Sequence, residues 1–188
     1  MLKLIFATTN ARKIKEAKAA CEPAGIFIIP QKLAIEEIQN SDGKKVAMHK
    51  AKQAFNILQK PVVVTDTFWN IPALNGFPGP YMKDVDIWFS VLDWQNLLKN
   101  KNKEAICYEN VVYADKLGKL HYFVSTFKGE FVDEPSGSLN NLNLERMFSF
   151  DGGKNTLADL HDSNQLTYHP DDYCWVDFVK WYTKNIIL

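Results

Sequence analysis

Lys3-Leu4-Ile5-Phe6-Ala7-Thr8-Thr9-Asn10 is a short apolar run that stops in three residues of helix-capping type. A helical pattern follows at once, with Ile14, Ala17 and Cys21 on one face. Gly25 then precedes a second apolar run, Ile26 to Ile29, closed by Pro30. Strand, helix and strand in quick succession predict an α/β arrangement for this end of the chain.

Working outward, Ile35 to Gly43 is polar and acidic and reads as a loop. Ala47, Ala51, Ala54, Phe55 and Leu58 then recur at helical spacing and predict a second helix. Pro61-Val62-Val63-Val64 is the compact β-branched run of a buried strand, and it ends abruptly in Thr65-Asp66-Thr67. After the turn-rich Asn75-Gly76-Phe77-Pro78-Gly79-Pro80, one helix is expected from about Val85 to Leu98, with Trp88 and Phe89 in the core. Glu104 to Ala114 and Lys119 to Lys128 read as two strands joined at Lys116 to Gly118, an antiparallel hairpin. Asp133 to Asn143 reads as a loop, and an aromatic-rich helix, roughly Asp171 to Asn185, buries Trp175, Phe178 and Trp181. The fold class expected is α/β, a mixed twisted sheet flanked by helices, over a single domain spanning residues 1–188.

A chain of 188 residues is long enough to bury a full core without a staple. Twenty-two basic residues balance 22 acidic ones, which argues against sequence-independent nucleic-acid binding. The three cysteines, Cys21, Cys107 and Cys174, form no CxxC pair and read as buried thiols. The four histidines form no metal-binding motif. No run approaches the ~18 apolar residues of a membrane span, and no signal peptide is recognisable. The expectation is a protein of the reducing cytoplasm with neither a nucleic acid nor a membrane as partner.

Chemistry is expected at the strand ends. Thr8-x-Asn10-x-x-Lys13-x-x-Glu16 sits at a strand-to-helix junction, where unpaired N–H groups and a first-turn lysine suit a phosphate. An ordinary N-cap with a solvated Lys13–Glu16 pair would give the same spacing. Asp66 closes an apolar strand, the usual ligand edge of an open α/β sheet, and Thr67 follows it. Glu37, a loop carboxylate, is a candidate for the same ion, since magnesium needs only one or two carboxylates besides water and phosphate oxygens. Lys50 and Lys83 are further candidate phosphate ligands, although a helix lysine more often faces solvent.

Four segments taken in order resemble the inosine triphosphate pyrophosphatase family. They are Thr8-x-Asn10-x-x-Lys13-x-x-Glu16, Glu37-Ile38-Gln39, Lys50-Ala51, and Asp66-Thr67 running on to Ala73-Leu74-Asn75-Gly76-Phe77-Pro78-Gly79-Pro80-Tyr81. The resemblance is firm over Lys3 to Lys83 and traceable to about His169. It implies two lobes around a central cleft, a homodimer, and magnesium-dependent hydrolysis of a nucleoside triphosphate to the monophosphate and pyrophosphate. It also implies that Thr8, Asn10, Lys13, Lys50, Thr67 and Lys83 face the triphosphate. Glu37 and Asp66 would hold Mg2+, and Asp66 and Lys13 would carry the catalysis.

The departures are concentrated at the base. The family's pair of acids at the strand end is here Thr65 and Asp66, and Phe68-Trp69 replaces small residues and is expected to crowd the cleft. The family's base-pocket motif aligns with Leu142-Asn143-Leu144-Glu145-Arg146, where aromatic residues have become leucine. Its late lysine is replaced at Asn164 or Gln165, and its Ser-His-Arg becomes Tyr168-His169-Pro170. Glu145 and His169 are therefore the candidate base-side contacts, with Arg146 or Tyr168 as possible substitutes for lost groups. Two readings follow: a pyrophosphatase with altered base specificity, acting on non-canonical purine nucleotides, or a catalytically weakened nucleotide-binding or protein-interaction module on the same fold.

Overall fold

The structure is a computed structural model and describes residues 2–163, 165 and 173–187, the side chain of residue 187 excepted. Strand β1 (Leu2–Phe6) leads into helix α1 (Ala11–Cys21), and β2 (Ile26–Pro30) returns parallel to β1, pairing Leu4 with Ile28. Helix α2 (Gly43–Leu58) precedes β3 (Val62–Asn70), which lies parallel to β1 on its other side, Phe6 opposite Val63. The short β4 (Pro78–Gly79) pairs antiparallel with the end of β3. Helices α3 (Met82–Trp88) and α4 (Val91–Leu98) come next, then β5 (Glu104–Ala114), β6 (Leu120–Phe131) and the short β7 (Phe148–Ser149), antiparallel to β6. Helices α5 (Leu157–Asp162) and α6 (Cys174–Tyr182) complete the described chain, α6 running into a π turn at Thr183–Ile187. The strand order is β2-β1-β3-β5-β6-β7, with β4 on β3: the mixed α/β sheet flanked by helices that the sequence predicts.

The chain divides into two compact units. The first comprises Met1–Thr67, Glu109–Ser125 and His169–Leu188; the second comprises Phe68–Tyr108 and Thr126–Tyr168. In the first unit, Ala47, Ala51 and Ala54 of α2 pack with Val62 and Val64 of β3 and with Val112 and Ala114 of β5. Alanine at these positions lets a helix approach a β-branched strand closely. In the second unit the core gathers Trp69, Ile71, Trp94, Phe131, Leu144, Met147 and Phe148. All three cysteines are buried, as expected. No helix among the described residues is long and apolar enough to cross a membrane.

Three sequence expectations are corrected. The single helix over Val85–Leu98 is two helices: Ser90 caps α4 by accepting from the Asp93 N–H, while Asp93 accepts from the Ser90 N–H at 2.8 Å. An apolar rhythm that runs through the break hides it. Trp88, placed in the core by that reading, ends α3 and is 71% exposed. Trp69, expected to crowd a cleft, is buried edge-on against Phe148 in the second unit's core, because β3 runs on to Asn70. Phe68 stacks on Tyr108, ring centroids 4.6 Å apart.

Candidate active site

The candidate residues of the first unit meet around the end of β1 and the middle of β3. Asn10 is the N-cap of α1: its Oδ1 accepts from the Lys13 N–H at 3.2 Å, and its own N–H donates to Thr8 Oγ1 at 3.2 Å. Asn10 therefore caps the helix as the sequence suggests. It also orients the first turn of α1 so that Lys13 is carried to Asp66.

That meeting is visible in the electrostatics. Burial pushes the Lys13 ammonium below its ordinary pKa, the neighbouring Lys50 pushes it the same way, and Asp66, Glu109 and Glu16 oppose them. Burial raises Asp66 above the ordinary carboxylate range; Lys50 and Lys13 oppose this, Glu37 adds to it, and the Thr67 N–H, donating to Asp66 Oδ1 at 3.0 Å, opposes it. Glu37 reaches in from its loop through an ion pair, its Oε1 2.6 Å from Lys50 Nζ on α2. Two lysines and two carboxylates thus share one neighbourhood.

Sequence reasoning missed a further set. Glu109 on β5 faces the same group; burial first, and then Glu109, raises Glu16 to about 7. Beside it, Asn110 is buried and its Nδ2 donates to the Asp66 carbonyl oxygen at 3.2 Å. The available signal was a Glu109-Asn110 pair interrupting an otherwise apolar strand, since polar residues inside a buried strand need partners. Thr65, where the resemblance expects an acid, has a buried Oγ1 with no hydrogen-bond partner among the described residues.

The remaining candidates belong to the second unit or fall outside the described residues. Lys83 is exposed on the first turn of α3, in the second unit. Glu145, also in that unit, is 4% exposed; it accepts from the Leu142 N–H at 3.3 Å and lies 3.7 Å from His161 Nε2. His169 lies outside the described residues, as do Tyr168 and Asn164.

A metal can be tested against the donor set. Among the described residues no group of three or more His, Cys, Asp or Glu is placed to hold one. The Asp66–Glu37 pair is smaller than that, but it is all oxygen, and burial leaves Asp66 in need of positive charge. A hard divalent cation that completes its shell with water and phosphate oxygens fits such a pair.

The sequence pattern of the Ham1 family matches residues 4–169. The chain is 29% identical to a dITP/XTP pyrophosphatase of Methanopyrus kandleri, over 98% of each chain. It is 33% identical to an inosine triphosphate pyrophosphatase of Scheffersomyces stipitis, covering 85% of this chain and 87% of that one. Among solved structures, a HAM1 protein from Coxiella burnetii superposes with a TM-score of 0.80 at 19% identity, covering 98% of this chain and 100% of that one. A match across most of the chain, joined to the same fold, means that the chain belongs to the Ham1 family.

Proposed function

We propose that the protein is a magnesium-dependent nucleoside triphosphate pyrophosphohydrolase that converts a non-canonical purine nucleoside triphosphate to its monophosphate and pyrophosphate. The observation that carries this reading is the gathering of Lys13, Lys50, Glu37 and Asp66 in one neighbourhood. Two ammonium groups beside two carboxylates supply what cleavage of a phosphoanhydride needs, namely positioning and neutralised charge. The names borne by similar proteins, dITP/XTP pyrophosphatase and inosine triphosphate pyrophosphatase, support the substrate class.

In this mechanism Lys13 and Lys50 bind phosphate oxygens, with Thr8, Asn10 and Thr67 beside them and Lys83 as a further phosphate ligand. Asp66 and Glu37 would hold Mg2+, which when bound neutralises phosphate charge and acidifies water. Asp66, its pKa raised by burial, takes the proton of a water whose oxygen forms a bond to the α-phosphorus. The bond from that phosphorus to the α,β-bridging oxygen breaks, and its electron pair leaves with pyrophosphate.

Altered base specificity is supported by the fate of the aligned base-pocket motif. Leu144 is wholly buried, and Asn143 is tied down, its N–H donating to Asp86 Oδ1 at 2.7 Å and its Nδ2 to the Phe89 carbonyl at 2.9 Å. Residues held this way serve packing in the second unit, so base recognition falls to other groups, His169 among the candidates. The family resemblance supports a cytoplasmic homodimer.

The test is pyrophosphate release with magnesium across canonical, deaminated and otherwise modified triphosphates. Release from one or a few supports the reading and names the base. No release from any, with calorimetric nucleotide binding intact, would replace it with the binding-module reading.

A further inference from the structure

We propose that Tyr122 and Asn110 form a one-way hydrogen-bond chain that sets the Asp66–Thr67 peptide plane and so aims the Asp66 carboxylate; both are positioning residues for the hydrolysis proposed above, on which this inference rests. The Tyr122 hydroxyl donates to Asn110 Oδ1, and Asn110 Nδ2 donates to the Asp66 carbonyl oxygen at 3.2 Å. Asn110 is 1% exposed, so both ends of its amide must find partners inside the protein.

The direction of the chain is forced. A backbone carbonyl only accepts, so Asn110 must turn its NH2 toward Asp66; its oxygen then faces Tyr122, whose hydroxyl must donate. Burial, followed by Asp42 and Cys174, pushes the Tyr122 hydroxyl up to about 12, which keeps the donated proton in place. The ring itself is held from the start of α2, with Lys44 Nζ 4.8 Å from its centroid.

The effect reaches the carboxylate through covalent geometry. The Asp66 carbonyl and the Thr67 N–H belong to one planar peptide unit. Holding the carbonyl holds the plane, and the N–H on that plane is the one that donates to Asp66 Oδ1 at 3.0 Å. Releasing Asn110 lets the plane turn and takes the carboxylate's hydrogen bond with it. A proton acceptor that drifts by about an ångström loses catalysis on the order of a hundredfold without necessarily losing substrate affinity.

The experiment compares wild type, Tyr122→Phe, Asn110→Ala and the double variant in two measurements: steady-state pyrophosphate release, and amide exchange of Thr67 followed by NMR. Tyr122→Phe removes one oxygen and preserves the ring, so it keeps the fold. It is expected to lower kcat about tenfold with KM little changed, and Asn110→Ala about ten- to a hundredfold. The double variant should be no worse than Asn110→Ala alone, because Tyr122 acts through Asn110. Exchange of the Thr67 amide should accelerate about tenfold in Tyr122→Phe, whether or not a responsive nucleotide has been found. Unchanged Thr67 exchange in a folded Tyr122→Phe protein would overturn the inference. So would an unchanged kcat in an active enzyme, or losses that simply add in the double variant. Wild type that releases no pyrophosphate from any nucleotide would sink the proposed function instead, and the exchange measurement would still decide this chain.

Discussion

Lys50 Nζ lies 2.6 Å from Glu37 Oε1, joining the middle of α2 to the loop before it and bringing a half-exposed carboxylate to Asp66. An exposed ion pair of this kind is worth about 0–1 kcal/mol, so stability does not explain it. A pre-arranged phosphate ligand beside a metal ligand does. Glu37→Gln is therefore expected to move the thermal midpoint by no more than a degree or two, while raising the magnesium concentration for half-maximal activity about tenfold. A magnesium titration of pyrophosphate release checks it; an unchanged requirement would remove Glu37 from the metal site.

Asp66→Asn keeps the side chain's shape and the hydrogen bond from the Thr67 N–H to Oδ1, and removes the proton acceptor. Turnover is expected to fall by about 10²–10⁴, with nucleotide still bound by calorimetry. Stability should move the other way. Burial raises this carboxyl in the folded chain above its ordinary value, so its contribution is present below the ordinary carboxylate pKa and is lost as pH rises through the folded one. The variant should thus melt at or above the wild-type temperature once the pH exceeds the folded pKa of Asp66, and thermal scans across a pH series rising from the ordinary carboxylate value read the difference. Retained turnover would remove Asp66 from the chemistry.

How much of this was legible depends on whether a signal is local. The Thr8–Asn10 cap, the alanine stripe of α2 and the Val62-Val63-Val64 run announce themselves within a few residues, and the first half of the fold follows from them. Lys13, Glu37, Lys50 and Asp66 stand out by residue type at a cap, in a loop, on a helix and at the end of an apolar run, although that run does not end the strand and Asp66 lies in the middle of β3. Glu109, Asn110 and Tyr122 do not, because their roles depend on β5 lying beside β3, and Asn110 meets a residue 44 positions away. No local periodicity carries such a pairing. The same limit hid the two-residue strand β7 and the break at Ser90, where a cap interrupts an unbroken apolar rhythm.

Gly129 on β6 shows the pairing with β7 from the other side. A Cβ there would stand 2.2 Å from the Ser149 carbonyl oxygen and 2.6 Å from the Phe148 ring, and Ser149 and Phe148 are both fully buried. Neither backbone nor a core ring yields cheaply, so Gly129→Ala is expected to cost about 1–3 kcal/mol. In a chain of this size that lowers the thermal midpoint by roughly 2–4 °C per kcal/mol. An unchanged midpoint would mean that β6 and β7 are not held this closely.

Glu16 makes the site's pH dependence specific. Burial first, then Glu109, raises its carboxyl to about 7, against Arg12, Lys13 and the Tyr173 hydroxyl, which donates to Oε2 at 3.4 Å. A carboxyl whose folded pKa lies above its unfolded one binds a proton more tightly when folded. Its contribution to stability is complete below the ordinary value of 4.5 and is lost as pH climbs through about 7. Wild-type melting temperature should therefore fall between pH 5 and pH 8, most steeply between the ordinary value of 4.5 and about 7, and level off above that. Glu16→Gln carries no titrating proton, so this segment of the curve should flatten and the variant should be the more stable protein at pH 8. Parallel slopes for the two proteins across that range would show that Glu16 does not share its site with Glu109 in the way the folded chain places them.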